Sequence, residues 1–345
     1  MVERRRCGLF AGKSSPDRQK LTFDVASIRE KTMIQEKIIE ILKTKHKYSS
    51  GEEISAHLKL SRQALWKHIQ ELRDIGYDIV AVPHLGYQLV SCPDKLLSFE
   101  IKHNLGTKFV GRNVHYFDTV RSTNDAAFNL GIEDAPEGTV VLAESQSRGK
   151  GRLGRVWESP KQKGIYLSLI LKPKIAPSSA PILTLLTAIS ISEAIKEIAE
   201  IEVKIKWPND LVVNNKKVGG ILTEINAEQD RIHFIVIGCG INVNNDKGSL
   251  PQGATSLKEQ KKEAVNRINL TQEVLRKIEE NYLRLAEEGT GFVIEKWQAL
   301  NTTLGKRIKV ALEREHLEGE AIDIDKDGGL LVRTDSGFIQ KVSSG

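Results

Sequence analysis

Apolar residues recur at helical spacing from Met33 to about Ile75, and beyond Gly76 the period changes to short strand-like runs bounded by turn residues. Over this stretch the chain can therefore form only short helices closed by a hairpin. Ile34, Ile38, Ile41 and Leu42 share one helix face. In Ser50-Gly51-Glu52-Glu53 a serine stands three residues ahead of a glutamate, the pattern of a capping box, and the acidic first turn suits the helix dipole. Ile54 and Leu58 form the apolar face of a second helix, and a short turn near Leu60 leads to Ser61, a good N-cap. A third helix runs to about Ile75 with Leu65, Ile69 and Leu72 inward and Gly76 as its stop. Ile79–Val82 and Tyr87–Val90, joined by Pro83-His84-Leu85-Gly86, give a hairpin signal.

This order predicts a winged helix-turn-helix over residues 32–92, with the second and third helices as the DNA-reading unit. Ser61, Arg62, Gln63, Lys67 and Gln70, with Arg73, are the candidate DNA contacts, because such side chains bind phosphates and base edges. The same residues also suit a solvated polar face on a domain that binds protein or nothing.

Residues 1–31 are polar, basic and aperiodic, and disorder is expected there. Met33 opens the first periodic segment and is the expected native start, which mass spectrometry of the native N-terminus tests. Arg4, Arg5 and Arg6 are followed by no apolar core, so no secretory signal is read. The chain has 345 residues, 40% hydrophobic and 28% charged, enough for two or three globular domains. A net charge of +6 permits nucleic-acid or phosphate binding without establishing it. Three cysteines, Cys7, Cys92 and Cys239, lack CxxC spacing, which argues against a disulfide framework and for a reducing cytoplasm. The longest apolar stretch, about Ile182–Ile195, is interrupted by Thr184, Thr187, Ser190, Ser192 and Glu193 and reads as a buried helix rather than a membrane span.

After a linker around Ser91-Cys92-Pro93-Asp94, strands and helices alternate. Strands are expected at Val114–Phe117, Val140–Ala143, Ile165–Leu171, Val203–Lys206, Leu211–Val213, Lys217–Glu224 and Ile232–Ile237. Helices are expected after Ser122 and over Pro181–Ile198, Thr271–Ala286 and Phe292–Leu300. Asn214-Asn215 between two strand runs signals a hairpin, so the sheet should be mixed or antiparallel rather than doubly wound. From about Gly305, short strands split by Asp325–Gly329 and Asp335-Ser336-Gly337 read as a small β-barrel of the SH3 type. The class is α+β, with a central domain over 96–302 and a C-terminal one over 303–345.

Five local signals carry chemistry. Gly149-Lys150-Gly151-Arg152-Leu153-Gly154-Arg155, after Arg148, intersperses glycines with cations that can converge on carboxylate or phosphate. It is neither a Walker A loop nor a dinucleotide fingerprint, and a basic flexible loop for nucleic acid is an equal alternative. Lys206-Trp207-Pro208-Asn209-Asp210 places a polar turn beside an aromatic ring; alone it reads as a strand-ending turn with a core tryptophan. Lys217, ahead of Val218-Gly219-Gly220-Ile221-Leu222, either points into a cavity or sits on an exposed strand end. The glycines of Gly238-Cys239-Gly240-Ile241-Asn242 mark a bulge or a close approach. Ser122-Thr123-Asn124 suits a helix N-cap or a polar ligand. The eight histidines show no metal-ligand spacing and no nucleophile elbow occurs, so covalent catalysis has no support.

In this order, GKGRLGR at 149–155, KWPND at 206–210, KKVGGILTE at 216–224 and GCGINVN at 238–244 behind a winged helix resemble the bifunctional biotin protein ligases that double as biotin operon repressors. The resemblance covers Met33 to the C-terminus, and Lys150 stands where some members have arginine, which keeps the charge but not the bidentate geometry. It implies a catalytic domain of the class II synthetase and lipoate ligase type. The reaction would form biotinyl-5′-adenylate from biotin and ATP, with Mg²⁺ accompanying ATP, and then transfer biotin to a lysine of the biotin carboxyl carrier protein. Ser122, Thr123, Asn124 and Gln146 would hold the biotin rings, and Lys150, Gly151 and Arg152 would close over the carboxylate and adenylate. Lys217 would sit at the carboxylate or α-phosphate, Gly220 and Gly240 would leave room for the ligand with Asn242 nearby, and Asp210 would orient the incoming amine. Metal ligands stay unassigned. Operator DNA and an adenylate-dependent homodimer, with the adenylate as corepressor, complete the implied activity. A lipoate–protein ligase and a transcription factor with a small-molecule sensor domain are the rival readings.

Overall fold

A computed structural model describes residues 33–45, 47–311 and 316–343. The expectations for residues 1–31, disorder and a start at Met33, lie outside those residues. The chain divides into two compact units, Met1–Pro93 and Asp94–Gly345.

In the first unit α1 (33–44), α2 (Gly51–Leu58) and α3 (Arg62–Ile75) precede a hairpin of β1 (Asp78–Val82) and β2 (Gly86–Ser91). Ile38, Ile39 and Leu42 of α1 are buried with Ile54, Leu65, Ile69, Leu72 and Ile79, so the helical periods face one core. Ser50 caps α2 by accepting from the Glu52 N–H at 3.2 Å, one residue earlier than the capping-box pattern prescribes. Ser61 caps α3 through the Ala64 N–H at 3.1 Å, and Gly76 ends it at φ +115°, where a side chain is strained. The wing is anchored by a backbone pair between Ser49 and Tyr87, at 2.8 and 2.9 Å. A Cβ on Gly86 would lie 2.1 Å from the Ser49 carbonyl oxygen, so only glycine allows that approach.

The second unit is built on a seven-stranded sheet. In spatial order its strands are β3 (Val114–Phe117), β4 (Val140–Ala143), β5 (Gly164–Leu171), β9 (Ile232–Asn242), β8 (Lys216–Ala227), β7 (Asp210–Val213) and β6 (Lys204–Lys206). β3 runs parallel to β4 and every other pairing is antiparallel, as the hairpin signals required. Asn214 and Asn215 turn the β7–β8 hairpin with φ of 50° and 62°, the left-handed pair of a type I′ turn. On one face lies α5 (Thr123–Ile132), packing Ala127 and Phe128 against Val141, Ile170, Phe234 and Val236. A second, larger core contains α6 (Pro181–Ala199), α8 (Arg267–Glu288) and α9 (Gly291–Leu300), and α6 is buried almost all round. Two further helices, α4 (Ser98–Lys102) and α7 (Leu257–Lys261), have no counterpart in the sequence expectations.

Buried charge ties the connections to this frame. Arg267 is fully buried; it donates to Glu144, also fully buried, at 2.9 Å, to the Asp94 carboxylate at 3.0 Å and to the Gly164 carbonyl at 3.0 Å. Removing either member of such a pair would leave an uncompensated buried charge. The C-terminal segment forms an antiparallel sheet of β10 (Arg307–Ala311), β11 (His316–Ile324), β12 (Leu330–Arg333) and β13 (Ile339–Val342). Its apolar residues share the core of the large sheet. Trp207 is 7% exposed and donates its indole N–H to the Gly328 carbonyl at 3.2 Å, while its own N–H meets the Thr303 hydroxyl at 2.9 Å. The reading of Trp207 as a core tryptophan is the correct one. Among the described residues no helix is long and apolar enough to cross a membrane.

Candidate active site

The floor of the site is the sheet face beyond the N-terminus of α5. One row across it reads Tyr166, Gly240, Gly220 and Asp210, on β5, β9, β8 and β7. The indole of Trp157 lies on its two glycines: a Cβ on Gly240 would fall 2.4 Å from the ring, and one on Gly220 3.4 Å from it. The next row holds Ser168, Gly238 and Leu222. A Cβ on Gly238 would lie 2.0 Å from the Asn124 side-chain oxygen. These strand glycines therefore mark close approach, not a bulge; Trp157 and Asn124 are what approach.

A bulge does occur on β8. Leu211 pairs with Gly219 but Val212 pairs with Lys217, so Val218 is the extra residue. Strict alternation would put Lys217 and Gly220 on opposite faces. The bulge brings them together, and a Cβ on Gly220 would lie 3.1 Å from the Lys217 side chain. The Lys217 ammonium meets the Asp210 carboxylate at 2.6 Å and stands 5.4 Å from the centre of the Trp157 ring. Its backbone pairs with Gly253 and Thr255, which fixes the following loop beside the site.

At the α5 terminus the polar residues form one network. The Gln146 side-chain oxygen accepts from the Thr123 N–H at 2.8 Å, and its amide donates to Ser159 at 2.9 Å. The Ser168 hydroxyl reaches the Asn124 oxygen at 2.6 Å and the Thr123 hydroxyl at 2.9 Å. Asn124 donates to Glu224 at 2.8 Å. Ser122 caps the helix through the Asp125 N–H.

The glycine-rich segment folds back on itself. Trp157 N–H meets the Gly149 carbonyl at 2.9 Å and Gly151 N–H the Arg155 carbonyl at 2.7 Å, with Leu153 at φ +54° and 70% exposed at the tip. Arg152 donates to the Asn209 side chain at 3.1 Å, joining the loop to the Lys206–Asp210 motif; burial lowers its pKa, against the pull of Asp210. Lys150 points elsewhere. Its ammonium is held by Asp125 and, at 3.1 Å, by Glu224, and these bonds raise its pKa. Asn242 donates to the Thr255 carbonyl at 3.1 Å.

Ser122, Thr123, Asn124, Gln146, Lys150, Gly151, Arg152, Asp210, Lys217, Gly220, Gly240 and Asn242 all border one cavity of about 960 Å³. That volume matches a cofactor-sized ligand. Trp157, Ser159, Ser168, Asp125 and Glu224 were not expected. Trp157 stands two residues beyond the glycine-rich motif, and that proximity was the one signal available for it. The cavity also reaches Lys306 and Lys309, beside and on β10. Among the described residues no cluster of three histidines, cysteines or carboxylates could hold a metal, and Asp125, Asp210 and Glu224 are each engaged by a lysine.

Residues 116–242 match the biotin/lipoate A/B protein ligase family, 34–88 a helix-turn-helix domain, and 303–345 the biotin protein ligase C-terminal domain. The chain is 39% identical over 303 residues to the bifunctional ligase/repressor BirA of Bacillus subtilis, covering 87% of this chain and 93% of the relative. The chain belongs to the bifunctional biotin protein ligase/repressor family. The Escherichia coli ligase/repressor is 32% identical, covering 84% of this chain and 89% of its own. A solved biotin protein ligase from Aquifex aeolicus, in complex with biotin and ATP, aligns with TM-score 0.58 and 32% identity over 68% of this chain and 97% of that one. The α+β class expected for this ligase, with an N-terminal helix-turn-helix, a mixed-sheet centre and a small antiparallel C-terminal unit, is the one it has.

Proposed function

We propose that the cavity joins biotin to ATP and then passes the biotinyl group to a lysine of a biotin carboxyl carrier protein. The observation that carries this reading is the Lys217–Asp210 pair at 2.6 Å, set against Arg152 and the Trp157 indole on a glycine-cleared sheet face. Biotin's carboxylate is ionised at neutral pH, so its attack on the α-phosphorus of ATP, with loss of pyrophosphate, needs no general base. It needs cations, because two anions must meet. Lys217 and Arg152 are assigned that task. The Thr123–Gln146–Asn124 network is assigned to the biotin rings, whose ureido group both donates and accepts hydrogen bonds. Lys150, neutralised by Asp125 and Glu224, is assigned to the ring end of the site rather than to the phosphates.

In the second step a carrier ε-amine attacks the acyl carbon and AMP leaves. Asp210 is assigned to accept a hydrogen bond from that amine once Lys217 turns to the adenylate. Ordering of residues 149–155 over the adenylate would keep water from the mixed anhydride. Mg²⁺ would enter on the ATP phosphates. The winged unit is assigned to operator DNA, and adenylate loading to a homodimer that binds it, with the whole acting in the cytoplasm. Biotin-dependent ATP–pyrophosphate exchange tests the enzyme, with lipoate as the competing substrate. Exchange driven by lipoate and not by biotin would overturn it. Sedimentation with and without biotin and ATP tests the dimer, and an unchanged monomer would exclude it.

A further inference from the structure

We infer that Trp66 is a sequence-reading residue of the winged unit, which packs its indole against thymine methyl groups in the major groove; the inference rests on the reading of this unit as an operator-binding domain. On α3, Leu65, Ile69 and Leu72 are buried, yet Trp66 between them is 55% exposed. At 100° per residue, Arg62, Gln63, Trp66, Lys67 and Gln70 fall within one arc of the helix, with Gln70 near its middle and Trp66 between Gln70 and Arg62. That arc also takes in Arg73 and one exposed carboxylate, Asp74, near its Lys67 edge. Glu52 flanks the arc, and its carboxylate meets Arg62 at 3.0 Å on the exposed surface, a pair that phosphate can displace.

Trp66 is left half in water on a helix face where Arg62, Lys67 and Arg73 outnumber Asp74. Its removal from water is available to a partner. The charge around it selects a polyanion rather than another protein face. Arginine, lysine and glutamine in the arc can bond phosphates and purine edges, but none of them registers the thymine 5-methyl, the one apolar mark in the major groove. A flat apolar ring within the arc does.

The test uses full-length protein with biotin and ATP, and a duplex it selects from a random-sequence pool. Thymines of that duplex are replaced singly by deoxyuridine, which deletes only the methyl. Wild-type protein should lose about 3- to 10-fold affinity at one or two thymines per half-site, the range of a single apolar contact. Trp66→Ala should bind the parent duplex about 10-fold more weakly and show no penalty at those thymines, whereas Trp66→Phe should keep most of the penalty. If Trp66→Ala binds too weakly to measure, the Trp66→Phe penalty decides. Methyl penalties that persist in Trp66→Ala, or a wild-type protein indifferent to every methyl, would overturn the inference while leaving operator binding intact. A wild-type protein that selects no duplex would overturn both.

Discussion

Lys217 owes its place in the cavity to one extra residue, Val218, in the β7–β8 ladder. Truncating it should lower pyrophosphate release by at least about tenfold, about 1.4 kcal/mol of barrier. A Lys217→Ala variant that releases pyrophosphate at the wild-type rate would refute its role. Arg152→Ala, which frees the loop from Asn209, should let the adenylate escape, and mass spectrometry of bystander proteins would then find biotin on scattered lysines. Unlabelled bystanders would show that the loop is not a lid. Cys239 offers a pH prediction. Full burial raises its thiol to about 12, so the reactive thiolate is withheld at all ordinary pH values and appears only as pH rises toward that figure. Iodoacetamide at pH 8 should label exposed Cys92 and spare Cys239, and peptide mapping that finds Cys239 alkylated in folded protein would contradict the packing. Charged motif residues were legible in the sequence because function leaves them in the order Gly-Lys-Gly-Arg, Asn-Asp, Lys. The direction of Lys150 was not, since Asp125 and Glu224 reach it from separate elements and no local pattern announces an ion pair made at a distance.

Among the elements, β9 shows best what sequence can and cannot fix. Its apolar run named a strand, but its glycines were equally compatible with a bulge. Only the arrival of α5 and Trp157 decides for close approach. Gly238→Ala should therefore push the Asn124 amide out of its network. Such overpacking costs about 1–3 kcal/mol, and the KM for biotin should rise at least about tenfold with a smaller change in kcat. An unchanged KM would mean that Asn124 does not bind the ligand. The long amphipathic helices and the three short ones of the winged unit were legible from period and caps, because a buried stripe must repeat each turn. α4 and α7 were not, because five residues hold too few turns to show a stripe. The Ser50 cap was legible too, yet its side chain takes the Glu52 N–H, while Glu53 is turned to Lys45 at 2.7 Å. That lysine holds the Glu53 carboxyl below its ordinary range.

At the scale of the molecule, the C-terminal sheet has its apolar side inside the core of the large sheet. Val310, Leu317, Ala321, Ile324, Leu330, Val332 and Val342 belong to the same buried cluster as Leu211 and Val213. Trp207, on the Lys206–Asp210 motif, is bonded to Thr303 and Gly328. The motif that offers Asn209 to Arg152 and Asp210 to Lys217 is thus braced from behind by the C-terminal strands. This explains why a small β unit accompanies a site to which it gives only the rim around Lys306 and Lys309. Two variants of graded severity probe it. Trp207→Phe opens a small void in the core and loses the bond to Gly328, leaving a buried carbonyl without its donor, the latter alone at a cost of about 1–3 kcal/mol. Its melting temperature should drop, and pyrophosphate exchange should fall below the loss that partial unfolding at the assay temperature accounts for, because the brace behind Asp210 is loosened. A chain ended after Leu300 uncovers that core, and its second unit should give no cooperative melt. If the shortened chain instead melts cooperatively near the full-length temperature, the sheet is an appended domain and the brace is wrong.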